Sequence, residues 1–413
     1  MRPAAILRAI GVATLAFACC APVRAFLPDA AAARDAIDDL PTVQAALARG
    51  REATARGDAL REGPYGYELT VMPLARHANG YGSYGELETM LTRRLRLPTK
   101  SRLDGALASS GEEIARYIVG DARHEGARRL LEAWMAWARA ASLATLAERQ
   151  RATAEDERKA VARRAELGEL PLLDERRAAT ALAQADLAAE RARLAREEAR
   201  LALTTDFPTL GLPAAPPDLP RPQPAAIPPD SVERIVEHNH ELAVARALAA
   251  RQGVSAARAD AERRPDPSLG LRMLAEADGH EQAVGLVVTI PFAASSQPAT
   301  VMAERALTEA VDTEAAGVAR RIRLEAEKLV RALPAQYDAW RAAERMVGAA
   351  DDTLARMERA WRLGAVDFGE VLLARRNAYD ARVNELGLRF DVQSLVARLE
   401  IESHRRWAND AHH

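Results

Sequence analysis

Two glycines at matching places in the sequence are each followed, six residues later, by an acidic side chain. Gly168 precedes Asp174, and Gly364 precedes Glu370, with Asp367 lying between the second glycine and its acid. Carboxylates attract cations and repel one another, and protonation removes their charge. The same residues also fit a structural role, because Asp367 and Glu370 have capping-box spacing and Asp174 would lie in the first turn of a helix. The local pattern predicts helix capping, and any further role depends on what the turns face.

Other chemistry is poorly represented in the sequence. It contains no Gly-rich phosphate loop ending in Lys-Ser/Thr, no His-Glu-x-x-His and no Gly-x-Ser-x-Gly. Its two cysteines, Cys19 and Cys20, fall within the first 25 residues, so no thiol nucleophile is expected in a processed chain. His238 and His240 are two residues apart and would not face one another on a helix. We therefore predict no enzyme, no cofactor and no bound metal.

Composition narrows the class of protein further. Of 413 residues, 48% are apolar and only 4% aromatic, while 57 Lys and Arg residues nearly balance 59 Asp and Glu residues. The apolar share argues against disorder. The balanced charge argues against a nucleic-acid partner. The low aromatic content, with abundant alanine and arginine, favours a mainly helical protein.

The first 25 residues have the pattern of a secretory signal peptide. Arg2 and Arg8 precede an apolar run, and small residues before Ala25 satisfy the requirement for a cleavage site. We predict cleavage near Ala25. In a second interpretation, residues 16–19 form a degenerate lipoprotein box and Cys19 or Cys20 carries a lipid anchor.

The elements that carry the acidic residues occur twice, offset by 196 residues. Leu167-Gly168 and Leu363-Gly364 each predict the end of one helix and the start of another. Long helical patterns precede the turns at about 102–166 and 299–362, and ~65 residues at ~1.5 Å each would span ~100 Å. After each turn, apolar residues keep the seven-residue spacing of a coiled-coil seam. These residues are Leu187, Leu194 and Leu201 in the first copy, and Val383, Phe390 and Ala397 in the second.

A predicted β-hairpin stands before each long helix, at 67–95 and 268–291. Within the first hairpin, Leu87 and Leu91 alternate with Glu86 and Glu88, which predicts one lipid-facing side and one water-facing side. Shorter helices are predicted before the hairpins, at about 30–61 and 231–263.

The predicted organisation therefore consists of two similar halves. A signal peptide at 1–25 is followed by a first repeat at 26–206, with its turn at 167–171. A linker at 207–229, which contains nine prolines, leads to a second repeat at 230–413, with its turn at 363–367.

This order resembles the TolC-like family of outer-membrane efflux proteins over essentially the whole processed chain. The resemblance is carried by the tandem repeat, by the Leu-Gly turns with their first-turn acids, and by the second hairpin. That hairpin opens with Pro265-Asp266-Pro267-Ser268-Leu269-Gly270-Leu271. The resemblance implies a mainly α fold with a small transmembrane β part. As a homotrimer it would form a 12-stranded β-barrel continued by a long α-helical coiled-coil barrel in the periplasm.

The resemblance also implies roles for the turn residues. The acids at the turns would form a pore constriction, for which Glu370, Asp174 and Asp367 are the candidates. A periplasmic adaptor protein would dock at the tips. The candidate docking residues are Arg164, Leu167, Gly168, Arg362, Leu363 and Gly364.

The implied function is passive export through the outer membrane, with an inner-membrane resistance-nodulation-division (RND) pump supplying energy. Among its relatives the sequence is most similar to the heavy-metal, CzcC-like branch, which suggests metal cations or small toxic compounds as cargo. Two alternatives remain open from the residues alone. One is a periplasmic adaptor, and the other is a secreted coiled-coil scaffold without a channel.

Overall fold

The computed structural model describes residues 26–80, 82–224, 227–292 and 294–407. The predicted signal peptide, its cleavage site after Ala25 and both cysteines lie outside the described residues.

Helices account for most of the described chain. They are α1 (Ala30–Asp38), α2 (Pro41–Glu62), α3 (Pro98–Glu166), α4 (Leu172–Asp206), α5 (Ser231–Glu237), α6 (His240–Ala261), α7 (Gln297–Arg362) and α8 (Phe368–Glu402). In the ranges that the structure describes, no helix combines the length and apolarity needed to cross a membrane. The described residues also form four strands. They are β1 (Tyr67–Ala78), β2 (Gly82–Arg94), β3 (Ser268–Glu276) and β4 (Glu281–Thr289).

The strands form one antiparallel sheet in the order β1-β2-β3-β4. Both hairpins therefore join edge to edge through β2 and β3, which pair from Leu87 with Ala275 to Arg94 with Ser268. The prediction of a mainly helical chain with a small antiparallel β part is confirmed.

Contacts divide the chain into two compact units. The sheet unit comprises Asp38–Gly126 and Val232–Glu327. The described residues of the tip unit fall within Met1–Ile37, Ala127–Ser231 and Lys328–His413, and they include both helix turns. Each unit draws on both predicted repeats.

Two helices predicted as continuous are broken in the structure. The first helical stretch divides before Pro41, whose missing N–H has no cost at a helix start but would remove a hydrogen bond from a helix interior. The second divides at Asn239, whose side chain caps α6 by accepting a hydrogen bond of 2.9 Å from the Leu242 amide. A proline at the first place and a side-chain cap at the second therefore override the helical periodicity.

Apolar side chains pack into clusters within the tip unit. Near the turns, Val161 of α3, Ala178 of α4, and Phe368 and Val371 of α8 are buried against one another. Elsewhere in the unit, Leu333 and Trp340 of α7 pack on Val392 of α8. The Trp340 indole N–H donates to the Glu385 carboxylate at 2.7 Å, so this buried polar pair is satisfied.

Candidate functional site

The two helix turns are built alike. Gly168 has a φ of 78° and Gly364 a φ of 73°, in the left-handed region that favours glycine. In the first turn, the Gly168 amide donates to the Ala165 carbonyl and the Glu169 amide to the Arg164 carbonyl. The second turn has the equivalent bonds, from Gly364 to Trp361 and from Ala365 to Ala360. Both turns are therefore Schellman motifs that satisfy the last helix carbonyls.

The turns present their predicted docking side chains outward. Leu167 is 58% exposed and Leu363 is 80% exposed, and Arg362 is also exposed. Arg164 is half-buried: its Nε donates to Glu169 at 3.2 Å, and its guanidinium lies 5.2 Å from the centre of the Trp361 ring. Arg164 therefore joins the first turn to the end of the helix that precedes the second.

The three predicted constriction residues have different environments. Asp367 caps α8, because its Oδ1 accepts a 3.1 Å hydrogen bond from the Glu370 amide, and both residues are exposed. Asp174 is only 7% exposed, and its Oδ1 accepts a 3.3 Å bond from Arg177. The matching positions in the two repeats are thus one exposed acid, Glu370, and one buried acid, Asp174.

Arg177 lies between Asp174 and Asp367, and sequence reasoning assigned it no role. Its Nη1 lies 3.3 Å from Asp174 Oδ1 and 3.6 Å from Asp367 Oδ1. A Cβ added at Gly369 would lie 2.8 Å from Asp367 Oδ1 and 3.4 Å from Arg177 Nη1, so a side chain there would disturb the arrangement. The Arg-Arg dipeptide after each turn was the available signal, but it did not identify the arginine that bridges the acids.

A groove opens beside the turns, with a volume of about 810 Å³. Its lining includes Leu173 of α4, Tyr379 of α8 and an ion pair between Glu157 of α3 and Arg375 of α8. Burial raises the pKa of Glu157 above its usual value, although the charge and hydrogen bonds of Arg375 oppose that shift. The groove combines apolar surface with arginines and is wide enough for side chains of another protein.

One face of the sheet in the other unit is apolar and exposed. The strand registers align Leu69, Leu91, Leu271 and Leu286 in one row across all four strands, and Val71, Thr89, Met273 and Val284 in another. The leucines of the first row are each at least 44% exposed. Exposed apolar residues that extend across all four strands of a sheet mark a face that contacts lipid or protein.

The opposite face carries all the acidic residues of the strands. They are Glu68, Glu86, Glu88, Glu276 and Glu281, which the registers place on the same side. Arg272 bonds Glu88 with two contacts of 2.7 and 2.9 Å. Arg76 reaches Glu86 at 2.7 Å and Glu276 at 3.2 Å. The alternation of Leu87 and Leu91 with Glu86 and Glu88 therefore predicted the two faces of β2.

An ionic cluster lies where the strands meet the helices in the sheet unit. Lys100 is 1% exposed and donates to Glu262 at 2.7 Å, with Asp266 at 3.3 Å. Burial opposes ionisation of Asp266, but the Leu97 amide, the Tyr65 hydroxyl and Lys100 together lower its pKa. The pKa of Glu262 is also lowered, because hydrogen bonds from Lys100 and Arg258 outweigh burial. This cluster fixes both hairpins to the start of α3.

In the part of the chain that the structure describes, no group of three or more His, Cys, Asp or Glu side chains could hold a metal ion.

Comparisons with known proteins give structural likenesses only. No protein-family model matches the sequence, and no protein of curated function matches it. The Campylobacter jejuni CmeC outer membrane channel aligns with a TM-score of 0.72 and 12% identity, over 92% of this chain and 86% of the other. The outer membrane protein VceC from Vibrio cholerae aligns with a TM-score of 0.73 and 16% identity, over 90% and 95%.

The open state of the Neisseria gonorrhoeae MtrE outer membrane channel is also similar. Its TM-score is 0.70 at 15% identity, and the alignment covers 92% of this chain and 90% of the other. The likeness extends over nearly the full length of each protein, so the chain has the fold of these outer membrane channels.

Proposed function

We propose that this protein is the outer-membrane channel of a tripartite efflux system. The observation that carries the proposal is the two-faced sheet, with a row of exposed leucines on one side and all the strand acids on the other. Lipid outside and water inside require this division. The fold supports the proposal, because nearly the whole chain aligns with outer membrane channels.

A single chain would not suffice in a membrane. Its four strands leave β1 and β4 at the edges of the sheet, and unpaired edge groups are strongly disfavoured in lipid. We propose a homotrimer, in which three sheets close a 12-stranded barrel and the helices continue it as a periplasmic barrel. The N-terminal segment would direct export, with processing after Ala25 or a lipid anchor at Cys19 or Cys20.

The helix turns would form the periplasmic mouth of the channel. Asp367 and Glu370 are exposed there, so three copies would present a ring of carboxylates that attracts cations. Asp174 would not line the pore. It would hold Arg177, which in turn lies beside Asp367 of the ring. This arrangement combines helix capping with pore lining, since Asp367 caps α8 and remains exposed.

An adaptor protein would dock at the same end. Leu167, Leu363 and Arg362 are exposed, whereas Gly168 and Gly364 shape the turns and Arg164 holds them together. The groove lined by Leu173 and Tyr379 offers a second surface for adaptor side chains. The adaptor would connect the channel to an inner-membrane RND pump that supplies the energy.

The cargo would be metal cations or small toxic compounds, as expected for the heavy-metal, CzcC-like branch. The exposed acids at the turns and the acids on one face of the sheet support a cationic cargo. A passive conduit requires only favourable entry and ready release, and so no tight metal site is part of the proposal.

The test is to purify the protein from outer membranes in detergent and to record currents in planar bilayers. A trimer that forms channels is expected. A water-soluble periplasmic monomer without channels would refute the proposal and favour an adaptor. Deleting 67–95 and 268–291 should abolish retention in the outer membrane, whereas a coiled-coil scaffold would keep its location.

The proposed constriction has its own test in the same bilayers. Glu370→Gln should lower cation selectivity, because three carboxylates would be lost from one ring. Glu166→Gln provides the matched control, since Glu166 is an exposed glutamate that ends α3 beside the first turn. Equal selectivity in Glu370→Gln and the parent channel would leave Glu370 as a residue of the helix start only.

A further inference from the structure

The helices that follow the two turns occupy equivalent places in the repeats, but only one of them is covered along its seam. In α8, Phe390 and Ala397 are buried and Val383 is half-buried. The residues 196 positions earlier in α4 are 52%, 60% and 67% exposed. They are Leu187, Leu194 and Leu201. Three leucines at heptad spacing therefore face solvent, whereas two of their three counterparts are buried and the third is half-buried.

At Phe390 the α8 seam is covered by Phe26, whose ring centre lies 6.1 Å away, and by α3, the long helix of the first repeat. Arg139 of α3 pairs with Asp391, and its guanidinium lies 5.7 Å from the centre of the Phe390 ring. Glu157 of α3 pairs with Arg375. The long helix of one repeat thus packs against the returning helix of the other.

The repeat offset identifies the corresponding surface for α4. The residue 196 positions before Phe390 is Leu194 on α4. The residue 196 positions after Arg139 is Ala335 on α7. Ala335 starts a row of exposed residues spaced alternately by four and three positions, as in the a and d positions of a heptad. These residues are Ala335, Ala339, Ala342, Met346 and Ala349.

The two exposed seams are complementary in size. Large leucines on α4 could insert as knobs between the small side chains of α7, which is the packing used by coiled coils. Within one chain, Leu187, Leu194 and Leu201 remain exposed despite this match. The α7 surface of a second copy of the chain could cover these leucines.

We propose that the α4 leucine seam of one copy packs against the α7 seam of the next, with Leu194 beside Ala335 and Ala339. The contact uses different surfaces on the two copies, so it is heterologous and generates a ring if the rotation closes. The inference rests on the proposed trimeric channel only for the number of copies. It assigns the residues through which the helical part of the ring is joined.

Disulfide trapping in the full-length protein tests the register. Leu194→Cys combined with Ala335→Cys, or with Ala339→Cys, should convert most of the protein into covalent oligomers on a non-reducing gel. The parent chain, run in parallel, reports any cross-link through Cys19 or Cys20. Leu194→Cys with Ala349→Cys is the matched control, because Ala349 lies ~21 Å further along α7. A disulfide forms only when the Cα atoms are within about 7 Å.

A second measurement does not depend on cysteine chemistry. Leu194→Glu should reduce the trimer fraction in native mass spectrometry at least tenfold, while Ala195→Glu, which changes the neighbouring exposed residue, should leave it near the parent value. Intact trimers in Leu194→Glu, without trapping in either cysteine pair, would overturn the inference and leave the channel proposal standing. Trapping at the expected pairs in a protein that forms no channels would support the seam and refute the proposed function.

Discussion

Replacing Leu271 with arginine tests which face of the sheet contacts lipid. Leu271 lies in the row of exposed leucines, one position from Arg272 at the centre of the nine-residue strand β3. An arginine on the lipid face near the bilayer midplane destabilises a barrel by ~2–4 kcal/mol. The folded fraction of each copy should therefore fall by roughly 30- to 1000-fold relative to the unfolded fraction.

Thr70→Arg is the matched control. Thr70 aligns with Met90 and Arg272 in one row across β1, β2 and β3, and so it lies at nearly the same depth as Leu271 on the opposite face. An arginine facing water should change stability by only about 0.5 kcal/mol. The same side chain at the same depth should therefore have very different effects on the two faces.

The assay is a urea titration of the protein in lipid vesicles, with the folded fraction measured as protease-resistant strands. Leu271→Arg should lower the midpoint strongly and Thr70→Arg only slightly. Leu286→Arg, in the same leucine row, should reproduce the effect of Leu271→Arg. Equal losses for Leu271→Arg and Thr70→Arg, or a larger loss for Thr70→Arg, would refute the assignment of the faces.

Two further predictions concern stability. In the folded protein the pKa values of Asp266 and Glu262 lie below their ordinary values of 3.8 and 4.5. Their contribution to the free energy of unfolding is therefore complete above the ordinary pKa values, and it is lost as the pH falls through the lowered pKa values. The thermal midpoint should thus be level near neutral pH and drop below about pH 4. The drop should be smaller in Glu262→Gln. An equal drop in Glu262→Gln and the parent protein would contradict the assignment of this pH dependence to the ionic cluster around Lys100. Gly364→Ala should destabilise the protein by ~1 kcal/mol, because alanine disfavours the positive φ there, whereas Gly348→Ala inside α7 should stabilise it by ~0.5–1 kcal/mol. Thermal denaturation of both variants distinguishes them, and equal shifts would show that the turn does not require glycine.

Features governed by neighbouring residues were predictable from the sequence. The turns at Gly168 and Gly364 depend on bonds within about six residues, and both formed as the Leu-Gly pattern indicates. The alternation in β2 depends only on the two-residue period of a strand. Helix breaks at Pro41 and Asn239 were missed, although they also depend on local chemistry, because helical periodicity continues across them.

The tertiary structure decided which of two equivalent residues is covered. Asp174 and Glu370 hold the same place after a turn, yet Asp174 is buried against Arg177 and Glu370 is exposed. Phe390 is buried and its counterpart Leu194 is exposed. The repeated sequence thus determined the helices, turns and strands by itself, because each depends on local backbone and side-chain preferences. The environment of a side chain also depends on packing between segments far apart in the sequence: Phe390 lies beside Arg139 of α3, whereas Leu194 is 60% exposed in the single chain.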